Sequence, residues 1–182
     1  MLTGAGVPFE ATVAGVDEDA AKTVLLAKGA SPKAVAEALA EQKALAVSRT
    51  RAGLVIGADQ TLDLDGQLYD KAETMGQART RLVELRGRTH QLHSAVAAAE
   101  GGALVWRETV SARLTMRDFS DAFLDRYLAD EGDAALGSVG CYRLEGLGAQ
   151  LFSRIEGDYF AILGLPLMGL LELLRARGEI TP

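Results

Sequence analysis

The sequence predicts an α/β domain, a mixed twisted sheet with flanking helices, and three observations carry that expectation. Helix-type and strand-type periodicities alternate along the chain. Two long strand-like runs, 89–99 and 103–116, meet at Gly101-Gly102 as a hairpin, which argues against an all-parallel, doubly wound sheet. At 182 residues and 48% hydrophobic, the chain has enough apolar material for one core and, most simply, one domain over 1–182.

Taken in order, Val7 to Val16 reads as a short strand, and Glu18 begins a helical stretch. Ser31-Pro32 is a strong helix start, a hydroxyl cap followed by proline at the first helical position, and that helix runs to about Arg49. Residues 54–64 form an apolar strand closed by the Asp65-Gly66 turn signal. Thr74 and Gln77 have capping-box spacing and open a helix that ends near Arg86, with Gly87 behind it. After the hairpin, Ser120 caps a helix carrying Phe123, Leu124, Tyr127 and Leu128 on one side. Short strands are expected around 141–146 and 149–155, and a last helix from Leu165-Pro166 to about Arg177.

Composition narrows the function classes. The net charge of −6 gives no global basic field for nucleic acid or an anionic membrane surface. No apolar run is long enough to span a bilayer, and the N-terminus lacks the features of a signal peptide. The single Cys141 excludes an internal disulfide and fits a reducing compartment, so a cytoplasmic protein is expected.

Several polar residues sit where chemistry could use them. Asp59 interrupts the apolar strand "GLVIGADQTLDL", and a carboxylate in an apolar setting is costly unless a cation or donor answers it. Gly57, with no side chain, would let another group approach the backbone. Lys43 falls on the helical line of Val35, Leu39 and Val47, so its stem should run along the core-facing stripe. Glu18 stands at a helix start, and Lys71 in an irregular segment before the next helix. His90 and His93, three apart on a strand, point to opposite faces and do not share a metal. Acids (Glu18, Asp59) and amines (Lys43, Lys71) from separate segments, brought together, would suit polyphosphate hydrolysis. Carboxylates hold a divalent cation, lysines bind phosphate oxygens, and a carboxylate orients or deprotonates the attacking water.

The ordered set "AGVPFE…VDE…EQKA…VIGADQ…K…LRGRTHQLHSAV…VGCYRLEGLGAQLF…EGDYFAILGLPL" resembles the Maf family of nucleoside triphosphate pyrophosphatases over nearly the whole chain. The resemblance implies a Maf/ITPase-like fold and metal-assisted hydrolysis, with Mg or Mn, between the α and β phosphates of non-standard nucleotides. It implies Asp59 and Lys71 as catalytic residues, Glu18, Lys43, Gln60, Arg88 and Glu145 as substrate-binding residues, and Asp59 and Glu18 as metal ligands. Gln60 with Glu145 resembles the branch acting on 7-methyl-GTP. A homodimer through the hairpin edges is compatible with it. Two features depart from the family pattern. Lys71-Ala72 replaces the usual Lys-Pro, and the chain starts at Met1-Leu2-Thr3, just after the place of the family's S-x-S-x-R-R turn. That start predicts either an upstream start codon or a poor enzyme. The alternative to catalysis is an impaired relative that binds a nucleotide or protein and regulates cell division.

Overall fold

The computed structural model describes residues 1–181. Its elements are α1 (Glu18–Ala27), α2 (Pro32–Ser48), β1 (Val55–Leu64), β2 (Gln67–Tyr69), α3 (Met75–Leu85), β3 (Thr89–Glu100), β4 (Ala103–Met116), α4 (Asp121–Glu131), β5 (Phe152–Glu156), α5 (Tyr159–Ile162) and α6 (Leu167–Ala176). One five-stranded sheet, in the order β2-β1-β3-β4-β5, lies between these helices. The expected α/β arrangement is therefore present, and its mixture lies in the elements. All four strand pairings are antiparallel, and no parallel pair occurs among the described residues.

Local chemistry explains most of the boundaries. Ser31, Thr74 and Ser120 each accept a hydrogen bond from a backbone N–H in the first turn of α2, α3 and α4. Asp65 and Gly66, both at positive φ, make the two-residue link between Leu64 and Gln67. Gly101 and Gly102 do the same between Glu100 and Ala103.

Two expected strands do not form. The segment from Val7 to Val16 holds no regular element, and Phe9 and Val13 stand exposed, although Val7 itself is buried beside Leu54 and Ile56. Residues 141–146 turn back on themselves instead of extending. Cys141 takes a positive φ, and Gly148 packs so tightly on the Arg143 backbone that a Cβ would lie 2.4 Å from the Arg143 carbonyl oxygen. A short 3-10 helix over Leu147–Leu151 follows, and only Phe152–Glu156 joins the sheet.

Helix α2 packs across β1 and β3 through small residues. Ala36, Ala40 and Ala44 meet Ala95, Ala97 and Ala99, and all six are buried. Gly57 completes this seam, since a Cβ there would lie 2.4 Å from the Ala40 carbonyl oxygen and 2.5 Å from the Ala44 nitrogen. The group that needs a glycine at 57 is thus α2 itself. The opposite face of the sheet is covered by two clusters. One runs from Leu62 and Leu64 through Leu82, Leu85 and Leu114 to Leu124 and Leu151, and the other gathers Val96, Leu165, Leu167 and Leu170 around α6. Strand β2 pairs with β1 only from Leu62 to Leu64. From Val55 to Thr61, the outer edge of β1 has no strand partner among the described residues.

Candidate functional site

Asp59 is not at a strand end. It is the fifth residue of the ten in β1, and the strand runs on to Leu64. The polar run Asp59-Gln60-Thr61 looks like a terminus in sequence, but each side chain is answered from outside the strand. Asp59 faces α2, where Lys43 Nζ donates to its Oδ1 at 2.7 Å. The same ammonium lies 3.0 Å from Glu18 Oε1, at the first position of α1. Three segments distant in the chain therefore meet in one acid–ammonium–acid cluster. The Asp59 side chain is 10% exposed, against 20% for Lys43 and 42% for Glu18.

That burial decides the protonation behaviour. Desolvation lifts the Asp59 pKa above the ordinary carboxylate value, against the opposing hydrogen bond and charge of Lys43. For Lys43, burial pulls downward, but the hydrogen bonds and charges of Asp59 and then Glu18 outweigh it, so its pKa rises. Lys43 is held firmly cationic beside a carboxylate that takes up a proton more readily than usual.

A second pair extends the cluster. Lys22, one turn along α1 from Glu18, donates to Asp70 Oδ1 at 2.6 Å and is close enough to feel the Asp59 charge. Asp70 precedes Lys71, whose side chain is exposed and makes no hydrogen bond or ion pair among the described residues. Sequence reasoning missed Lys22, although its i, i+4 relation to Glu18 was a readable signal.

Gln60 points to the other face of the sheet. Its Nε2 donates to Ser94 Oγ at 2.8 Å, to the Ala161 carbonyl at 3.0 Å and to the Ile162 carbonyl at 3.1 Å. The two carbonyls can only accept, which fixes the amide orientation and leaves Oε1 as the free, accepting end. Gln60 and Glu145 line the same cavity of about 130 Å³, together with Tyr142, Arg143, Ile162 and Leu163. Glu18, Lys43, Asp59 and Lys71 do not line it. Arg88 is joined to neither group. Its guanidinium pairs with Asp65 beside the β1–β2 turn.

Both histidines are buried structural residues on opposite faces. His90 Nε2 meets the Tyr142 hydroxyl at 2.7 Å, whereas His93 lies between Ser111 and Asp63. Burial depresses the His90 pKa to about 4.

No set of three or more His, Cys, Asp or Glu side chains able to hold a metal occurs among the described residues. Asp59 and Glu18 offer two carboxylates around one ammonium. That donor set suits a magnesium-like ion, which commonly takes one or two protein carboxylates and completes its shell with water and substrate phosphate. No helix of the described residues is long and apolar enough to cross a membrane.

Comparison with known proteins identifies the family. A nucleoside triphosphate pyrophosphatase of Caulobacter vibrioides is 61% identical over 181 residues, covering 100% of this chain and 91% of its own length. Another protein of that name, from Paramagnetospirillum magneticum, is 52% identical over 183 residues, with 100% and 94% covered. A 7-methyl-GTP pyrophosphatase of Rhizobium meliloti is 50% identical over 181 residues, with 99% and 91% covered. Residues 1–177 match the profile of the family described as Maf-like protein, and the chain belongs to that family.

Proposed function

We propose that this protein hydrolyses nucleoside triphosphates between the α and β phosphates, releasing a nucleoside monophosphate and pyrophosphate. The convergence of Glu18, Lys43 and Asp59 carries the reading. In it, the Asp59 carboxylate orients the attacking water and accepts its proton. Burial holds the Asp59 pKa above the ordinary carboxylate value, which favours acceptance of a proton. Lys43 holds Asp59 in place, and Lys71 offers an unengaged ammonium to the phosphate oxygens. A divalent cation, Mg or Mn, would be held by Asp59 and Glu18 and would neutralise charge on the phosphates. Arg88 has no part in this reading while it is paired with Asp65.

The base would enter the cavity of Gln60 and Glu145. Two acceptors, the free Gln60 Oε1 and the Glu145 carboxylate, suit a donor-bearing edge such as the N1–H and amino group of guanine. A carboxylate also favours a cationic methylated ring, so 7-methyl-GTP is the preferred candidate. The acidic net charge opposes nucleic acid as a partner. The buried, unpaired Cys141 accords with the cytoplasm, and an edge of the β3–β4 hairpin offers a surface for a homodimer.

A pyrophosphate-release assay over a nucleotide panel that includes 7-methyl-GTP, with Mg²⁺ or Mn²⁺, tests the proposal. The wild type should turn over at least one triphosphate, and Asp59→Asn should lose at least ~10²-fold in kcat. Inactivity across the panel, or an Asp59→Asn variant as fast as wild type, would end it.

A further inference from the structure

Two segments distant in the chain flank the proposed site: the Lys71 loop after β2 and the cavity wall from Ser138 to Glu145. Cys141 of the wall already lies against the Ala72 backbone of the loop, and the Arg81 side chain adds a charged contact that reaches both. Arg81 Nη1, from α3, donates to the Asp70 carbonyl at 2.7 Å and to the Val139 carbonyl at 2.6 Å. Its guanidinium carbon lies 4.4 Å from the centroid of the Tyr69 ring, at the end of β2. Asp70 immediately precedes Lys71, and Val139 lines the cavity that also holds Gln60 and Glu145. The Asp70 side chain is meanwhile gripped by Lys22, on the helix that carries Glu18.

An apolar residue at 81 could cover Tyr69 equally well. Only a cationic donor also satisfies two carbonyls, and a charged donor makes such bonds stronger than a neutral one. The joint is stiff because the guanidinium plane, the ring and both acceptors restrict one another.

We propose that Arg81 is a positioning residue that couples the base cavity to the Lys71 loop, so that filling the cavity sets Lys71 for the phosphates. The proposal rests on the reading of the site as one for a nucleoside triphosphate. Binding energy at the base, remote from the bond that breaks, is thus turned into alignment at the phosphates.

Two measurements on Arg81→Met and Arg81→Lys test it. In the hydrolysis assay, Arg81→Met should lower kcat for the best nucleoside triphosphate about tenfold. Turnover of tripolyphosphate, which leaves the cavity empty, should change less than about twofold. Arg81→Lys, which keeps a cationic donor, should recover part of the loss. In hydrogen exchange, the phosphate-free nucleoside 7-methylguanosine should protect both 138–145 and 69–74 in the wild type. In Arg81→Met it should protect 138–145 alone. An unchanged kcat, an equal loss on tripolyphosphate, or an Arg81→Lys variant no better than Arg81→Met overturns the coupling. So does protection of 69–74 in the methionine variant, or a wild type protected in neither segment. If Arg81→Met does not fold, Arg81→Gln, which also removes the charge, takes its place in both comparisons. If the wild type hydrolyses no nucleoside triphosphate, the catalytic reading fails by itself, and the exchange experiment still decides the role of Arg81.

Discussion

Gly57→Ala probes the dependence of the cluster on the α2 seam. The added methyl would lie 2.4 Å from the Ala40 carbonyl oxygen, 2.5 Å from the Ala44 nitrogen and 3.1 Å from the Ala44 Cα, where ordinary contact begins at 3.4 Å. All three obstacles are backbone, so no rotamer change relieves them. The helix must retreat by about 1 Å, which is the difference between 3.4 and 2.4 Å, and overpacking on this scale costs about 1–3 kcal/mol. For a domain of this size that corresponds to a fall in Tm of roughly 2–12 °C. Function should suffer in parallel. Lys43 lies between Ala40 and Ala44 on the retreating face, and its 2.7 Å bond to Asp59 would stretch beyond hydrogen-bonding distance. A misplacement of that order can cost about 10²-fold in kcat. Thermal denaturation and the pyrophosphate assay read the two effects. Gly137→Ala, where the new methyl meets nothing within 4 Å, is the control and should change neither. A Gly57→Ala protein that melts within about 1 °C of wild type would refute the seam argument.

Two further outcomes follow from buried charge. Lys43→Met should destabilise the fold by about 1–3 kcal/mol in denaturant titrations, because it strands a carboxylate that is 10% exposed. Adding Asp59→Asn should recover part of that loss, and a fully additive double mutant would exclude the pairing. His90 contributes to acid sensitivity, since its folded pKa is lowered to about 4 from 6.5. The unfolded chain binds more protons between those values, so stability falls as pH drops through the window, by about 2 kcal/mol at pH 5 and about 3 kcal/mol in full. His90→Gln should flatten the change in denaturation midpoint between pH 7 and pH 5, and an unaltered slope would rule out this origin.

Where a structural choice depends on near neighbours, the residues themselves announced it. The hydroxyl caps at Ser31, Thr74 and Ser120, the Asp65-Gly66 turn and the Gly101-Gly102 hairpin are each decided within a few residues, and all lie where expected. Val7 to Val16 and 141–146 have strand-like composition but need a partner edge, and composition says nothing about whether one is near. Asp59 misled for a related reason. Its polarity mimicked a strand end, while the charge that makes a mid-strand carboxylate tolerable comes from Lys43, sixteen residues earlier. The stripe pattern placed Lys43 on the core side but could not name its partner. Lys22 and Arg81 reach across 48 and 11 residues to Asp70, and such pairings exist only once the chain has folded.

The alternation of β1 has a topological consequence for any ligand. Asp59 and Gln60 are consecutive, yet one looks toward α2 and the other toward α5. The sheet between them is continuous on the β3 side, so nothing can pass through there. A single molecule touching both must bend around the margin of β1 between Val55 and Thr61, which has no strand partner among the described residues. Its middle portion then lies against the peptide groups of that margin, and their N–H and C=O dipoles are available for recognition at that bend. Main-chain polarity along that margin would then add to what the Asp59 and Gln60 side chains supply on either face.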